Sequence, residues 1–220
     1  MSKVFIIGAT GGVGSRLGPL LVGNGHSVSG LHRSPEQAEA LSRAGVRPYL
    51  GDLMTMTAED LAAALKGHDV IVFSAGAAGS GLERTTAIDG EGVTHTIAAA
   101  KSAGIKRVYL VSAFMDAARG GERKPGFEHY MSVKRASDNA LVASGLDWVI
   151  LRPGTLVSED GNGRVSANLA LPYGSVARGN VAAVLAALID TPAIRREIIE
   201  LTDGDRPVRE AVQALVRRHE

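Results

Sequence analysis

The 220-residue chain is longer than a minimal domain and short for two, so a single core is expected. Hydrophobic residues at 45% and charged residues at 21% supply the apolar surface of an ordinary folded domain, which argues against disorder. The formal net charge of +1 arises from intermixed acids and bases, which lacks the basic footprint of a nucleic-acid or anionic-membrane binder, and the absence of cysteine excludes disulfides and thiolate metal sites, as suits a reducing cytoplasm.

Met1-Ser2-Lys3 leads straight into a short apolar run, and no apolar stretch reaches the roughly 18 residues of a membrane helix, so no signal peptide or membrane anchor is expected. Six β-rich runs follow in order, at 3–8, 27–32, 46–50, 69–74, 106–112 and 146–151, with a late one at 197–201. Several are almost continuously apolar, as parallel strands buried on both faces are. Helical patterns fill the gaps at 12–24, 35–44, 57–66, 84–103, 128–144, 179–190 and 207–218. This alternation predicts an α/β fold, a doubly wound parallel sheet of the Rossmann type forming a single domain over 1–220.

The punctuation agrees. Gly25, Gly45, Gly67, Gly104 and Gly145 each stand just past a helical pattern, where a left-handed residue closes the helix. Thr57 and Asn180 occupy expected N-cap positions. Val93, Ile97, Ala100 and Gly104 recur at helical spacing and read as a core stripe. Two stretches, 115–127 and 154–178, resist regular assignment. Both follow carboxyl ends of strands, where open α/β sheets bind ligands, so both are read as substrate-side loops.

Directly after the first strand comes Gly8-Ala9-Thr10-Gly11-Gly12-Val13-Gly14, with a helix expected to open near Gly12. Glycines here let the chain turn tightly and let backbone N–H groups approach a pyrophosphate at the positive end of a helix dipole, although a tight strand-to-helix turn alone also favours them. An NAD site wants an acidic residue about 20 positions on, to hold the ribose 2′-hydroxyl. The second strand instead ends Leu31-His32-Arg33-Ser34, which offers a guanidinium and a hydroxyl to a 2′-phosphate, so NADP(H) is expected over NAD. Asp52, followed by Leu53 after the third strand, is read equally as an adenine partner or as the cap of the next turn.

These landmarks resemble the atypical short-chain dehydrogenase/reductases, a family that includes epimerase-like, NmrA-like and flavin-reductase-like NAD(P)H-binding proteins. The resemblance spans nearly the whole chain and includes the Gly8, Gly11, Gly14 spacing, Gly51-Asp52-Leu53, Ser74-Ala75-Gly76, Lys106-Arg107-Val108 leading to Ser112, and Arg152-Pro153-Gly154. It implies that Ser74, Ala75 and Gly76 lie along the dinucleotide and that Pro153 and Gly154 lie near the nicotinamide. The segment Ser175-Val176-Ala177-Arg178-Gly179-Asn180-Val181-Ala182 is similar to a late family motif that carries aspartate where Asn180 stands, a change expected to matter little because both residues cap helices.

Tyr130 and Lys134 stand one turn apart on the predicted helix after the fifth strand, and Ser112 ends that strand, as in the superfamily. The expectation is that a buried ammonium lowers the tyrosine pKa toward working pH, that Tyr130 serves as general acid to a carbonyl, that Lys134 also holds the nicotinamide ribose, and that Ser112 bonds the same carbonyl. A tyrosine packed on the sheet beside a snorkelling lysine is the plainer alternative. His129 is read as a solvated or capping residue, Asp89 as an anchor of local structure, and Asp116, Arg119, Glu122, Arg123 and Lys124 as a solvated charged loop where Arg119 or Arg123 would meet an anionic substrate. His26, His68 and His95 lack metal-ligand spacing, so no metal is expected.

The leading reading is an NADP-dependent oxidoreductase of a small carbonyl, quinone or related acceptor, with a small-molecule substrate and neither nucleic acid nor membrane as partner. A non-catalytic NADP sensor is the alternative. A sugar epimerase or dehydratase ranks third, because only about 66 residues follow Gly154 and such enzymes generally carry a large C-terminal substrate domain. Substrate and oligomeric state are not legible.

Overall fold

In the structure, a computed structural model, residues 1–117 and 124–216 are described. Arg119, Gly120, Gly121, Glu122 and Arg123 of the charged loop, and Arg217 and Arg218, lie outside the described residues. In chain order the elements are β1 Lys3–Ile7, α1 Gly14–Gly23, β2 Ser27–His32, a 3-10 turn Pro35–Gln37, α2 Ala38–Arg43, β3 Arg47–Leu50, α3 Ala58–Leu65 and β4 Val70–Phe73. Next come α4 Leu82–Arg84, a π-helical segment Thr85–Glu91, α5 Gly92–Ser102, β5 Arg107–Val111, α6 Pro125–Val142 and β6 Asp147–Pro153. The chain continues with β7 Thr155–Val157, β8 Arg164–Asn168, β9 Ser175–Ala177, α7 Arg178–Ile189, β10 Glu197–Asp203, β11 Arg206–Pro207 and α8 Val208–Gln213.

The main sheet has the order β11-β8-β10-β6-β5-β4-β1-β2-β3. Its run from β3 to β10 is parallel, and β8 and β11 join antiparallel at one edge. This is the predicted Rossmann-like single domain. The apolar strands are explained by their period of two: alternate residues feed two separate cores, one on each face of the sheet. Val4 and Ile6 of β1, Val72 of β4 and Val149 of β6 pack with Leu17 and Leu21 of α1 and with α7. Phe5 and Ile7, Phe73 and Ile150 pack with Leu61 and Leu65 of α3, Val93 and Ile97 of α5, and Leu141 of α6. Gly25, Gly45, Gly67, Gly104 and Gly145 all take positive φ, the left-handed closure expected of them.

Several expectations are corrected. The stretch 154–178 is not an irregular loop, since it holds β7 and β9, which pair with each other in a small second sheet, and β8, which pairs with β10. Helix α6 begins at Pro125, so Pro125, Gly126 and Phe127 belong to a helix. The predicted helix over 84–103 is broken by the π segment. Thr57 caps α3 as expected, accepting from the Asp60 amide at 3.2 Å. Asn180 is not the N-cap: that position in α7 is Ala177, and Asn180 is buried as the third residue of the helix.

Candidate active site

A cleft of about 830 Å³ opens at the carboxyl ends of β1, β2, β4 and β5, and it brings together most of the sequence-predicted residues. At its centre is the glycine turn. Gly8 has φ +92°, and a Cβ there would lie 2.5 Å from the Ala75 nitrogen, so the ends of β1 and β4 approach as only glycine permits. A Cβ at Gly14 would run into the Gly8 carbonyl, which is why the helix can fold back onto the turn. Helix α1 starts at Gly14 rather than near Gly12. Its N-cap Val13 has no side-chain cap, and its first turn carries no acidic residue. The Gly11 amide closes the turn onto the Gly8 carbonyl at 3.0 Å, whereas the amides of Gly12 and Val13 have no hydrogen-bond acceptor among the described residues. Uncapped amides at a helix start, on a backbone bare of side chains, form a cradle suited to a diphosphate.

On one side of this turn the cleft is lined by Thr10, Arg33, Gln37, Asp52 and Leu53. Arg33 is exposed, and its amide and that of Ser34 both donate to the Gln37 side chain at 3.1 Å. Ser34 is the N-cap of the 3-10 turn and, unlike Arg33, does not line the cleft. Asp52 accepts from the Met54 amide at 3.0 Å, the turn-capping half of its two expected roles, while still lining the cleft. Ser74, Ala75 and Gly76 form the floor, with the Ser74 hydroxyl donating to the Ile7 carbonyl at 3.2 Å. Pro153 and Gly154 lie outside the lining; the Gly154 amide donates to Leu201 and the Pro153 carbonyl accepts from Phe114.

At the other end stand Ser112, Tyr130 and Lys134. Lys134 does not snorkel. It is 2% exposed, and its Nζ donates to the Val111 carbonyl at 3.0 Å and to Asp89 Oδ1 at 3.4 Å. Asp89, 1% exposed, is supplied by the π segment and also accepts from the Ala77 amide at 2.8 Å. Such single-turn widenings recur at functional sites, and here one aims Thr85, Ile88 and Asp89 into the cleft. Because Lys134 is held by Asp89, it does not depress the tyrosine as expected. Burial pushes the Tyr130 phenol up to about 12, and the carboxylates of Asp89 and Asp138 push the same way. His129 is tied to the π segment through Thr86 Oγ1 at 2.8 Å.

Beneath Ser112 lies a second buried charge. Asp138 is held by Arg152 at 2.9 Å, and burial raises its carboxyl while the neighbouring Ser112 hydroxyl and Arg152 oppose that rise. Ser112 and Asp138 are close enough to interact, yet no hydrogen bond of good geometry joins them: Ser112 Oγ and Asp138 Oδ1 are both buried without a partner.

Sequence reasoning missed the wall formed by Leu82, Arg84, Thr85 and Ile88, and it missed Leu156 and Arg178. Only Arg178 had a visible signal, its place in the late motif. The other residues reach the cleft through the short helix α4, the π segment and β7, which leave no periodic trace.

The glycine turn, its open amides and the guanidinium at the second strand fit a nicotinamide dinucleotide. Residues 8–192, which begin at the first glycine of the turn, match the family described as NAD(P)H-binding. The chain belongs to that family. It is 40% identical over 215 residues to the uncharacterized sugar epimerase YhfK of Bacillus subtilis (strain 168), an alignment covering 97% of this chain and 100% of the relative. A solved structure assigned to the NAD-dependent epimerase/dehydratases of Bacillus halodurans superposes with a TM-score of 0.89 at 30% identity, over 98% of this chain and 100% of that one. The anaerobillin reductase ChuY of Escherichia coli O157:H7 gives a TM-score of 0.76 at 26% identity, over 93% and 98% of the two chains. The fold is therefore that of NAD(P)-binding oxidoreductase-like proteins, and the cofactor it points to is a nicotinamide dinucleotide.

Proposed function

We propose that the protein is an NADP-dependent oxidoreductase that reduces a small carbonyl, quinone or related acceptor by hydride transfer, with Tyr130 as proton donor. The observation that carries this reading is the convergence of Ser112, Tyr130 and Lys134 on the cleft that holds the glycine turn, at the opposite end from Arg33. A bound NADPH supplies the hydride. Ser112 offers its hydroxyl to the substrate oxygen. Tyr130, held protonated by burial, donates its proton to that oxygen as charge develops on it. Lys134, fixed by Asp89 and Val111, is placed to hold the nicotinamide ribose. Leu82, Ile88 and Phe127 give the acceptor end an apolar wall, which favours flat or weakly polar acceptors.

The test is NADPH oxidation against a panel of quinones, aldehydes, ketones and flavins. Tyr130→Phe is expected to keep NADPH affinity and to lose about a hundredfold or more in carbonyl turnover. With the phenol held near 12, wild-type kcat/KM for reduction is expected to show no loss from tyrosine ionisation up to pH 10. Wild-type turnover by Tyr130→Phe, or NADPH binding with no accepted substrate, refutes the assignment; the latter outcome supports a cofactor sensor. The name of the Bacillus subtilis relative favours a second reading, sugar epimerisation, so nucleotide sugars belong on the panel.

A further inference from the structure

We infer that Arg178, the first residue of α7, clamps the diphosphate of the dinucleotide against the glycine turn; the inference rests on the cofactor reading above. Arg178 comes from the opposite end of the chain to the turn, yet its side chain lies directly on Gly12. A Cβ on Gly12 would sit 2.5 Å from Arg178 Cδ and 2.8 Å from its Nε. The bare glycine is thus what lets this arginine lie across the turn, and both residues line the same cleft.

Arg178 is half-buried, and among the described residues no carboxylate pairs with it. Asp160, whose backbone lies against Gly179, has its carboxylate bound by Arg16 Nε at 2.8 Å. A half-buried guanidinium left unpaired over uncapped helix-start amides suits an anionic ligand, and a fork of donors suits phosphate oxygens in particular.

Its placement is built rather than incidental. Gly179 has no room for a Cβ because the Asp160 carbonyl fills that space, and its amide donates to the Glu159 carbonyl at 3.0 Å. Asn180 then binds the Gly163 amide at 2.9 Å and Asp203 at 2.7 Å, while Asp203 also accepts from the Ala177 amide at 3.1 Å. The start of α7 is therefore tied on both sides of Arg178, so the guanidinium is delivered to the turn at little entropic cost. The late motif thus acts on the same ligand as the glycine turn, from the far end of the sequence.

Two arginines at two ends of one ligand predict a crossed pattern. Affinities of wild type, Arg178→Met, Arg178→Lys and Arg33→Ala are measured by calorimetry for NADPH, ADP-ribose, which has the diphosphate but no 2′-phosphate, and 2′-AMP, which has the reverse. Thermal unfolding checks that each variant folds. Arg178→Met is expected to weaken NADPH and ADP-ribose about 10- to 100-fold, the range of a charge-assisted hydrogen bond, and to leave 2′-AMP within about twofold. Arg178→Lys restores part of the loss. Arg33→Ala weakens NADPH and 2′-AMP and spares ADP-ribose. Unchanged ADP-ribose affinity in Arg178→Met, with Arg33→Ala behaving as stated, overturns the clamp alone. Equal loss of all three ligands assigns Arg178 to loop structure and also overturns it. If wild type binds none of the three, the cofactor reading itself falls, and the clamp with it.

Discussion

Asn180→Asp is a one-atom change, and the resemblance to the late family motif makes it look harmless. The structure gives it a definite cost. Asn180 is 1% exposed, its Oδ1 accepts from the Gly163 amide at 2.9 Å, and its Nδ2 donates to Asp203 Oδ1 at 2.7 Å and to the Arg164 carbonyl at 3.2 Å. An aspartate turns that donor into a second carboxylate oxygen against Asp203. The lost bond to a charged acceptor costs about 1.5–3 kcal/mol. Two like charges about 4 Å apart at an effective dielectric near 20 repel by about 4 kcal/mol, which the pair relieves by taking up one proton. The folded-state pKa of the pair is then raised above the unfolded value near 3.9, each unit corresponding to about 1.4 kcal/mol. The sign follows: the penalty is absent below about pH 4, grows as pH rises toward the raised folded pKa, and is constant beyond it. We expect Asn180→Asp to be about 3–4 kcal/mol less stable than wild type at pH 8, roughly 10 °C in Tm for a domain of this size, and to approach wild type near pH 4. Asn180→Ala should show a deficit with little pH dependence over the same range. Thermal scans of the three proteins from pH 4 to 8 decide the matter, and a Tm of Asn180→Asp equal to wild type at pH 8, or a deficit that does not shrink on acidification, refutes the reasoning.

Three further outcomes are expected. Arg33→Ala should reduce the preference for NADP(H) over NAD(H) at least about tenfold, or 1.4 kcal/mol, as read by titration with both; an unchanged ratio would remove the guanidinium from 2′-phosphate recognition. Asp89→Ala should destabilise the fold by about 3–5 kcal/mol because Lys134 is left as a buried cation with one carbonyl, whereas Asp89→Asn, if folded, should move the alkaline loss of activity toward lower pH, since the carboxylate is one of the groups holding the phenol up; a profile that does not move counts against it. Gly14→Ala should impair folding or cofactor binding well beyond the ordinary cost of a surface change, since its Cβ meets the Gly8 carbonyl and the Ala9 Cα, and wild-type Tm and NADPH affinity would contradict that.

What the sequence makes legible is what periodicity and punctuation encode. The central strands β1, β4, β5 and β6 are visible because strands buried on both faces are almost continuously apolar, and the helix ends are visible because Gly25, Gly45, Gly67, Gly104 and Gly145 need positive φ. The short strands of 155–177 escape for the opposite reason. β7 and β9 have three residues each, and only Val165 of β8 is fully buried, so none carries enough alternation to register. The π segment escapes because an extra residue in a helical turn shifts the hydrophobic phase without marking it. Its glycine does have a reason in the packing: a Cβ on Gly90 would stand 3.2 Å from Val133 of α6. That close approach brings α6 against the π segment, and so brings Lys134 to Asp89.

That last contact explains why the spacing of Tyr130 and Lys134 indicates the site but not its electrostatics. Two residues one turn apart are readable, but the third charge, Asp89, arrives from 45 positions away through a helical defect. An unpaired buried lysine would favour phenolate, and the same lysine neutralised by a buried carboxylate does not. Burial then dominates, and the phenol stays protonated. On the proposed chemistry this arrangement suits the reductive direction, in which Tyr130 must hold a proton until the acceptor oxygen gains charge. On the same proposal the Ser112 hydroxyl, backed by Asp138 and Arg152, supplies the remaining contact to that oxygen. Oxidation of an alcohol would need the opposite, a tyrosine already deprotonated. The buried carboxylate of Asp89 therefore helps to hold the proton that reduction uses, and its part is read by comparing the alkaline limb of reductive turnover in wild type and Asp89→Asn.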